Sequence, residues 1–306
     1  MTRGTRTSTF GVGRRENHDA SDFYARFAPP ELSEDETVNP CPAADCLFVG
    51  DSRDMAAVPE SSVALVVTSP PYFAGKAYEE ALGTGAIPAN YIEYLAMLRD
   101  VFAECRRVLE PGGRICVNVA NLGRKPFRSL AGDVIRILQD DLGLLLRGEV
   151  VWIKGKGSSG NTAWGSFMKA SSPGLRDVTE RIVIAGKGRL ARAISWQERA
   201  ERGLPWESTI TKEDFMAFTL DTWQFPTASA KRVGHPAPFP VELPRRCIEL
   251  YTYRDDVVLD PFMGAGTTAE AAMRTGRRYV GFDTDPAYVA LAEERVAKVK
   301  AELGEL

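Results

Sequence analysis

The run Val66-Val67-Thr68-Ser69-Pro70-Pro71-Tyr72 changes character at its midpoint. β-Branched residues suited to a strand covered on both faces give way to a hydroxyl, two prolines and an aromatic ring. Prolines donate no ladder hydrogen bond, so the chain must leave the sheet there. Either the turn is plain punctuation, or it presents acceptors and a ring to a ligand. A second stretch, Val257-Val258-Leu259-Asp260-Pro261-Phe262-Met263-Gly264-Ala265-Gly266-Thr267-Thr268, reads as a buried strand, a turn with two glycines and the start of a helix. Glycine there lets a ligand approach the backbone, and the amides of Thr267 and Thr268 can receive a carboxylate or phosphate. About twenty residues on, a strand ends at Asp283, where a doubly wound sheet carries the acid that holds ribose hydroxyls. Together these features read as a nucleoside site. A tight turn without a ligand is the competing reading, and Asp283 counts against it.

Other chemistries fit poorly. The loop lacks the third glycine of the dinucleotide fingerprint, and no Gly-Lys-Ser/Thr follows it. His18 and His235 are the only histidines, which leaves little room for a Ser-His-Asp triad. Cys41, Cys46, Cys105, Cys116 and Cys247 form no CxxC pair, so reduced structural thiols are expected, with no metal site and no disulfide framework. Among the 306 residues no apolar stretch approaches the roughly 20 that a membrane helix needs, and Met1 to Arg15 shows no secretory signal. A cytoplasmic protein is expected. The net charge of −3 argues against a uniformly basic nucleic-acid binder. Between Arg147 and Arg192, however, nine basic residues stand against three acidic ones, a local excess suited either to phosphate contacts or to a solvated face.

The elements that must position these residues alternate. Strands are expected at Cys46–Gly50, Ser62–Thr68, Arg114–Val119, Glu149–Ile153, Arg181–Ala185, Val257–Asp260 and Tyr279–Phe282. Ile92, Leu95, Leu98, Phe102, Cys105 and Leu109 recur at helical spacing over Tyr91–Leu109, ahead of Pro111-Gly112-Gly113. Strand, helix, strand predicts an α/β fold with a doubly wound, mostly parallel sheet of seven strands. Residues 1–45, rich in Arg, Ser, Gly, Pro and acidic side chains, read as a mobile arm, and 46–306 as the catalytic domain.

Thr68-Ser69-Pro70-Pro71-Tyr72 upstream and Asp260 to Thr268 downstream together resemble the DNA amino-methyltransferases that use S-adenosylmethionine, in the permuted motif order of their β group. Gly50-Asp51, Pro111-Gly112-Gly113 and His235-Pro236-Ala237-Pro238-Phe239-Pro240 agree, and the likeness runs from about Cys46 to Arg295. The resemblance implies a Rossmann-like methyltransferase sheet with S-adenosyl-L-methionine as cofactor. Asp260, Pro261, Phe262, Gly264, Gly266, Thr267 and Thr268 would then hold its methionine part and Asp283 its ribose. Asp51, Ser52, Thr68 and Pro240 would close the pocket. The family more often has glutamate where Asp283 stands. Asp285-Pro286 reads as a helix cap and first helical residue.

The implied chemistry explains the turn. An exocyclic amino nitrogen on a base is a poor nucleophile because its lone pair is delocalised into the ring. The Ser69 hydroxyl and Pro70 carbonyl would accept its two protons and turn the lone pair toward the methyl group. Pro70 and Pro71 would keep that geometry rigid, and Tyr72 would stack on a flipped-out base. Ser69, where aspartate is commoner among N6-adenine enzymes, favours cytosine N4; adenine N6 is the alternative. An RNA or protein methyltransferase and an inactive cofactor-binding homologue are more distant ones. Double-stranded DNA is the expected partner, bound through Lys76 after the turn, Lys154, Lys156, Lys169 and Arg176 in a basic glycine-rich loop, and Arg189 and Arg192. Residues 186–222 are the candidate target-recognition insert, in which Trp196 and Trp206 read more readily as packing residues. A monomer or homodimer, with or without a companion restriction endonuclease, is compatible with the sequence.

Overall fold

The computed structural model describes residues 32–73, 90–121, 126–154, 178–227 and 240–304, and residues 168, 170 and 175. In chain order the elements are β1 (Cys46–Val49), β2 (Val63–Thr68), α1 (Tyr91–Val108), β3 (Leu109–Val119), α2 (Leu130–Arg136), β4 (Leu145–Ile153), β5 (Thr179–Gly186), α3 (Trp196–Glu201), α4 (Lys212–Phe218), β6 (Thr222–Gln224), α5 (Glu242–Tyr251), β7 (Val257–Asp260), α6 (Thr267–Arg274), β8 (Arg278–Asp283) and α7 (Pro286–Gly304).

The strands form one sheet in the order β1-β8-β7-β2-β3-β5-β4-β6. All neighbouring pairs are parallel except those of β5, which runs antiparallel to β3 and to β4. The sheet thus has eight described strands where the sequence predicts seven. The eighth, β6, pairs parallel with β4, and its three residues are too few to show alternation: only Trp223 turns inward, 1 % exposed. The stretch 186–222 therefore leads into an edge strand of the central sheet.

β2 lies between β7 and β3, and all six of its residues are buried. Its alternate side chains feed two layers. Val66 packs with Leu98, Phe102, Ile115 and Val117, while Leu65 and Val67 pack with Trp152, Leu243, Ile248 and Ala272. α1 begins at Asn90, whose side chain accepts from the Glu93 amide, and ends as the chain turns directly into β3. Its Leu95, Leu98, Phe102 and Cys105 are buried as the spacing predicts, joined by Tyr94 and Val101, whereas Ile92 in the first turn is 74 % exposed.

Residues Ser33–Leu306 make one compact unit. Residues 33–45, assigned to the arm by composition, belong to it. The Ser33 amide donates to Gly188 O at 2.7 Å, the Asn39 amide to Ser61 O at 2.9 Å, and Arg189 pairs with Glu36. The acidic run that suggested disorder has basic partners far away in the sequence.

Candidate active site

The parallel strands deliver their carboxyl ends to one edge of the sheet, and both motifs lie there. The join between them is Asp260, 2 % exposed at the end of β7. Its Oδ1 accepts from Thr68 Oγ1 at 2.7 Å and from the Phe262 amide at 3.1 Å, and its Oδ2 accepts from Thr268 Oγ1 at 2.7 Å. Burial pushes this carboxyl up to about 6, although the threonine hydroxyls oppose the shift. One side chain thus ties the end of β2, the glycine turn and the first turn of α6 together.

Beyond Thr68 the chain leaves the ladder at Pro70, which is buried, and Pro71, which is half-buried. Tyr94 Oη donates to Pro71 O at 2.7 Å, and the rings of Phe73, Tyr91 and Tyr94 lie 5.5–5.9 Å apart beneath the turn. Ser69 Oγ lies 2.9 Å from Tyr72 Oη and 3.2 Å from the Asn118 carbonyl, to which it donates. Tyr72 Oη donates to Glu180 Oε2 at 3.0 Å. Asn118 Nδ2 donates to Tyr72 Oη at 3.0 Å and also to Glu180 Oε2. Lys154 Nζ closes the far side, 2.6 Å from Glu180 Oε1. Asn118 is 1 % exposed, and its Oδ1 has no hydrogen-bond partner among the described residues.

A second cradle sits where β1, β7 and β8 end. Asp283 Oδ2 accepts from the Gly264 amide and its Oδ1 from the Asp285 amide, both at 2.9 Å. Its main-chain carbonyl accepts from Gly50 at 2.9 Å. Burial raises this carboxyl, and the backbone amides pull the other way. Two amides use only part of a carboxylate's acceptor capacity, which leaves lone pairs for ligand hydroxyls. Ser52 Oγ donates to Pro261 O, linking the turn after β1 to the glycine turn. Asp51 is exposed and held low by Arg53, 2.5 Å away. Phe262 is half-buried at the rim, and Pro240, also half-buried, accepts from the Leu243 amide at the start of α5. Asp285 Oδ1 accepts from the Ala287 amide at 2.8 Å, the cap geometry that Asp285-Pro286 predicts.

Gly266 has φ 76°, and a Cβ there would stand 2.8 Å from Ala292 Cβ of α7. The sequence reading gives this glycine to ligand approach. In the structure helix packing already requires it. Thr267 Oγ1 accepts from Arg295 at 3.0 Å, so its side chain also serves the α6–α7 contact.

Lys76, Lys156, Lys169 and Arg176 lie outside the described residues, as does 235–239. Lys154, expected at a phosphate, is paired with Glu180, which accepts from Tyr72. Arg192, expected at DNA, is instead paired with Glu110 and Asp256, the two carboxylates that Arg199 also meets, and its side chain is 13 % exposed. It is committed to a largely buried ion cluster. Arg189 donates to Asp35 O at 3.0 Å and keeps 26 % of its side chain exposed. Trp196 and Trp206 are 52 % and 46 % exposed and stack on each other at 6.2 Å, so they are not core packing.

Sequence reasoning passed over Asn118, Glu180 and Tyr94. A signal existed for the first two: Asn118 stands between Val117 and Val119, and Glu180 is in the inward phase of Ile182 and Ile184. All five cysteines are free, and no cluster of metal-ligating side chains occurs among the described residues. No helix of the described residues is long and apolar enough to cross a membrane.

The sequence model described as DNA methylase, covering N6 and N4 enzymes, matches residues 63–294. The type II methyltransferase M.MjaI of Methanocaldococcus jannaschii is 28 % identical over 291 residues, 84 % of this chain and 93 % of its own. M.BglI of Bacillus subtilis is 27 % identical, covering 81 % and 84 %. A Thermus thermophilus protein, TTHA0409, named as a DNA modification methylase and solved with S-adenosyl-L-methionine, is 31 % identical over 83 % of this chain and 95 % of its own, with a TM-score of 0.63. The cytosine-N4-specific PvuII DNA methyltransferase shares the fold at a TM-score of 0.61 and 22 % identity, covering 88 % and 94 %.

Proposed function

The chain belongs to the N6/N4 DNA methylase family, and from that premise we propose that it transfers the methyl group of S-adenosyl-L-methionine to the exocyclic N4 of cytosine in double-stranded DNA, by direct attack of a flipped-out base. The observation that carries this reading is the setting of Ser69. Its proton is directed inward, to the Asn118 carbonyl or Tyr72 Oη, and Asn118 Nδ2 donates to Ser69 Oγ at 3.4 Å, which leaves one lone pair for an amino proton. The Pro70 carbonyl, beside Ser69 in the turn, would be the second acceptor. Serine rather than aspartate favours cytosine because the hydroxyl can turn its proton outward to the ring N3 acceptor next to the amino group, which a carboxylate cannot do.

The cofactor fits the second cradle by its donor set. Asp283 would hold the ribose hydroxyls, Gly264 and the turn from Asp260 to Phe262 would bound the methionine part, and Asp51, Ser52 and Pro240 would close the sides. When bound, S-adenosyl-L-methionine supplies an electrophilic methyl group. Asp260 would fix that turn through its bonds to Thr68 and Thr268, holding the two half-sites at one spacing.

Incubation with methyl-labelled cofactor and unmethylated DNA, digestion to nucleosides and mass analysis tests the proposal. N4-methylcytosine is the expected product. N6-methyladenine would replace the base assignment, and absence of label would overturn the transfer reading for this chain.

A further inference from the structure

We propose, resting on that reading, that Glu180 drains the proton released at the methylated nitrogen through a relay of two hydroxyls, Ser69 and then Tyr72. The hydrogen-bond directions carry the inference. A carboxylate oxygen only accepts, so the single Tyr72 proton goes to Glu180 Oε2 across 3.0 Å. Asn118 Nδ2 donates to both of these atoms, which fixes their alignment. With the Tyr72 proton spent, the 2.9 Å contact between the two hydroxyls needs Ser69 Oγ as its donor, a proton it otherwise directs to the Asn118 carbonyl at 3.2 Å. Each hydroxyl therefore passes a proton away from the site, and the path ends on a side chain 10 % exposed and held from behind by Lys154. Lys154 and Tyr72 are the titratable groups that contact Glu180 among the described residues.

The reaction needs such an outlet. As the amino nitrogen gives its lone pair to the methyl carbon, the carbon–sulfur bond breaks with its electron pair left on sulfur, and the nitrogen holds one proton too many. A proton there is strongly acidic, so a carboxylate suffices as its acceptor. It moves to Ser69 Oγ, the Ser69 proton moves to Tyr72 Oη, and the Tyr72 proton moves to Glu180 Oε2. One proton has gone from nitrogen to carboxylate, and both hydroxyls are restored. The transfer accompanies bond formation, which keeps the nitrogen electron-rich in the transition state. Glu180 touches no substrate atom; it positions and discharges the two hydroxyls that do the work.

Single-turnover methyl transfer to DNA by wild type, Glu180→Gln, Tyr72→Phe and the double variant, each in light and in heavy water, tests the relay. Each single change is expected to slow transfer by about 10²-fold, with no further loss in the double variant because both cut one path. Cofactor affinity by calorimetry is expected to stay at the wild-type value. Wild-type transfer is expected to slow in heavy water, and Glu180→Gln to lose that solvent isotope effect. Additive losses, or an unchanged solvent isotope effect in Glu180→Gln, would overturn the relay. Lys154→Met in the Glu180→Gln background removes the stranded lysine charge and separates misfolding from lost transfer. If the variants do not fold, the wild-type rate in mixtures of light and heavy water decides: a multi-proton response supports the relay, and no isotope effect refutes it. Wild-type protein that methylates no DNA would instead refute the function on which the relay rests.

Discussion

Thr68 Oγ1 donates to Asp260 Oδ1 at 2.7 Å, joining two stretches 192 residues apart in the chain. Thr68 precedes the serine of the catalytic turn, and Asp260 begins the glycine turn, so this bond sets the distance between the proposed base and cofactor sites. Replacing Thr68 by the isosteric valine leaves a buried carboxylate oxygen with one donor fewer. The expected cost is about 1–2 kcal/mol, with a weaker cofactor affinity and slower transfer together, because both turns shift. Urea unfolding and calorimetry read the two effects, and Thr68→Ser should restore both.

Asp260 also makes stability depend on pH. Its folded value is raised to about 6 from 3.8, so the folded chain holds this proton more tightly than the unfolded chain does. Its contribution is complete below the unfolded value and is lost as pH rises through about 6, a change of about 3 kcal/mol in the destabilising direction. Asp260→Asn removes this titration. Thr268 Oγ1 then accepts from the new amide while donating to Val67 O, which already lies 3.4 Å away. Denaturant midpoints at a series of pH values should fall across that window in the wild type and stay flatter in Asp260→Asn.

Arg192 shows what a count of charges along the chain misses. Arg192, Arg199, Glu110 and Asp256 neutralise one another in a largely buried group. Arg192→Met leaves two carboxylates facing one guanidinium, and the expected loss is about 3–5 kcal/mol. The salt dependence of DNA binding by the folded protein should keep its slope, since no phosphate contact is removed. A shallower slope would return Arg192 to the nucleic-acid interface.

What could be read from the sequence was local. A β-branched run stopped by Pro70 and Pro71 marks the end of a strand whatever surrounds it, and the glycine turn with Asp283 further on is a spacing within one strand-helix-strand unit. Asn118 and Glu180 depend on register instead. They meet because β3 and β5 pair antiparallel, with Asn118 opposite Ile182, and a polar residue in a strand does not announce its neighbour. β6 was invisible for a related reason: its pairing with β4 at Val151, Trp152 and Ile153 creates the strand, and three residues carry no period of their own. The arm was cut too long because the partners of Glu36, Arg189 and Arg202, lie more than a hundred residues away.

Ser69→Ala separates the two halves of the proposed site. The change removes one acceptor from the catalytic turn but leaves Pro70, Pro71 and the Tyr94 bond to Pro71 O in place, so the backbone path should persist. Ser69 makes no hydrogen bond to the Asp283 cradle; its partners are Tyr72 and Asn118. Removing one preorganised hydrogen-bonding group from a reacting centre typically costs about 10²–10³-fold in turnover. Methyl transfer under single-turnover conditions is therefore expected to drop by about 10²-fold, with cofactor affinity unchanged and the same methylated nucleoside formed. Tyr72 Oη, still held by Glu180 and Asn118, would keep its position and part of the acceptor role. A parallel fall in cofactor affinity would move Ser69 from the base side of the cleft to the cofactor side, and with it the basis for assigning cytosine.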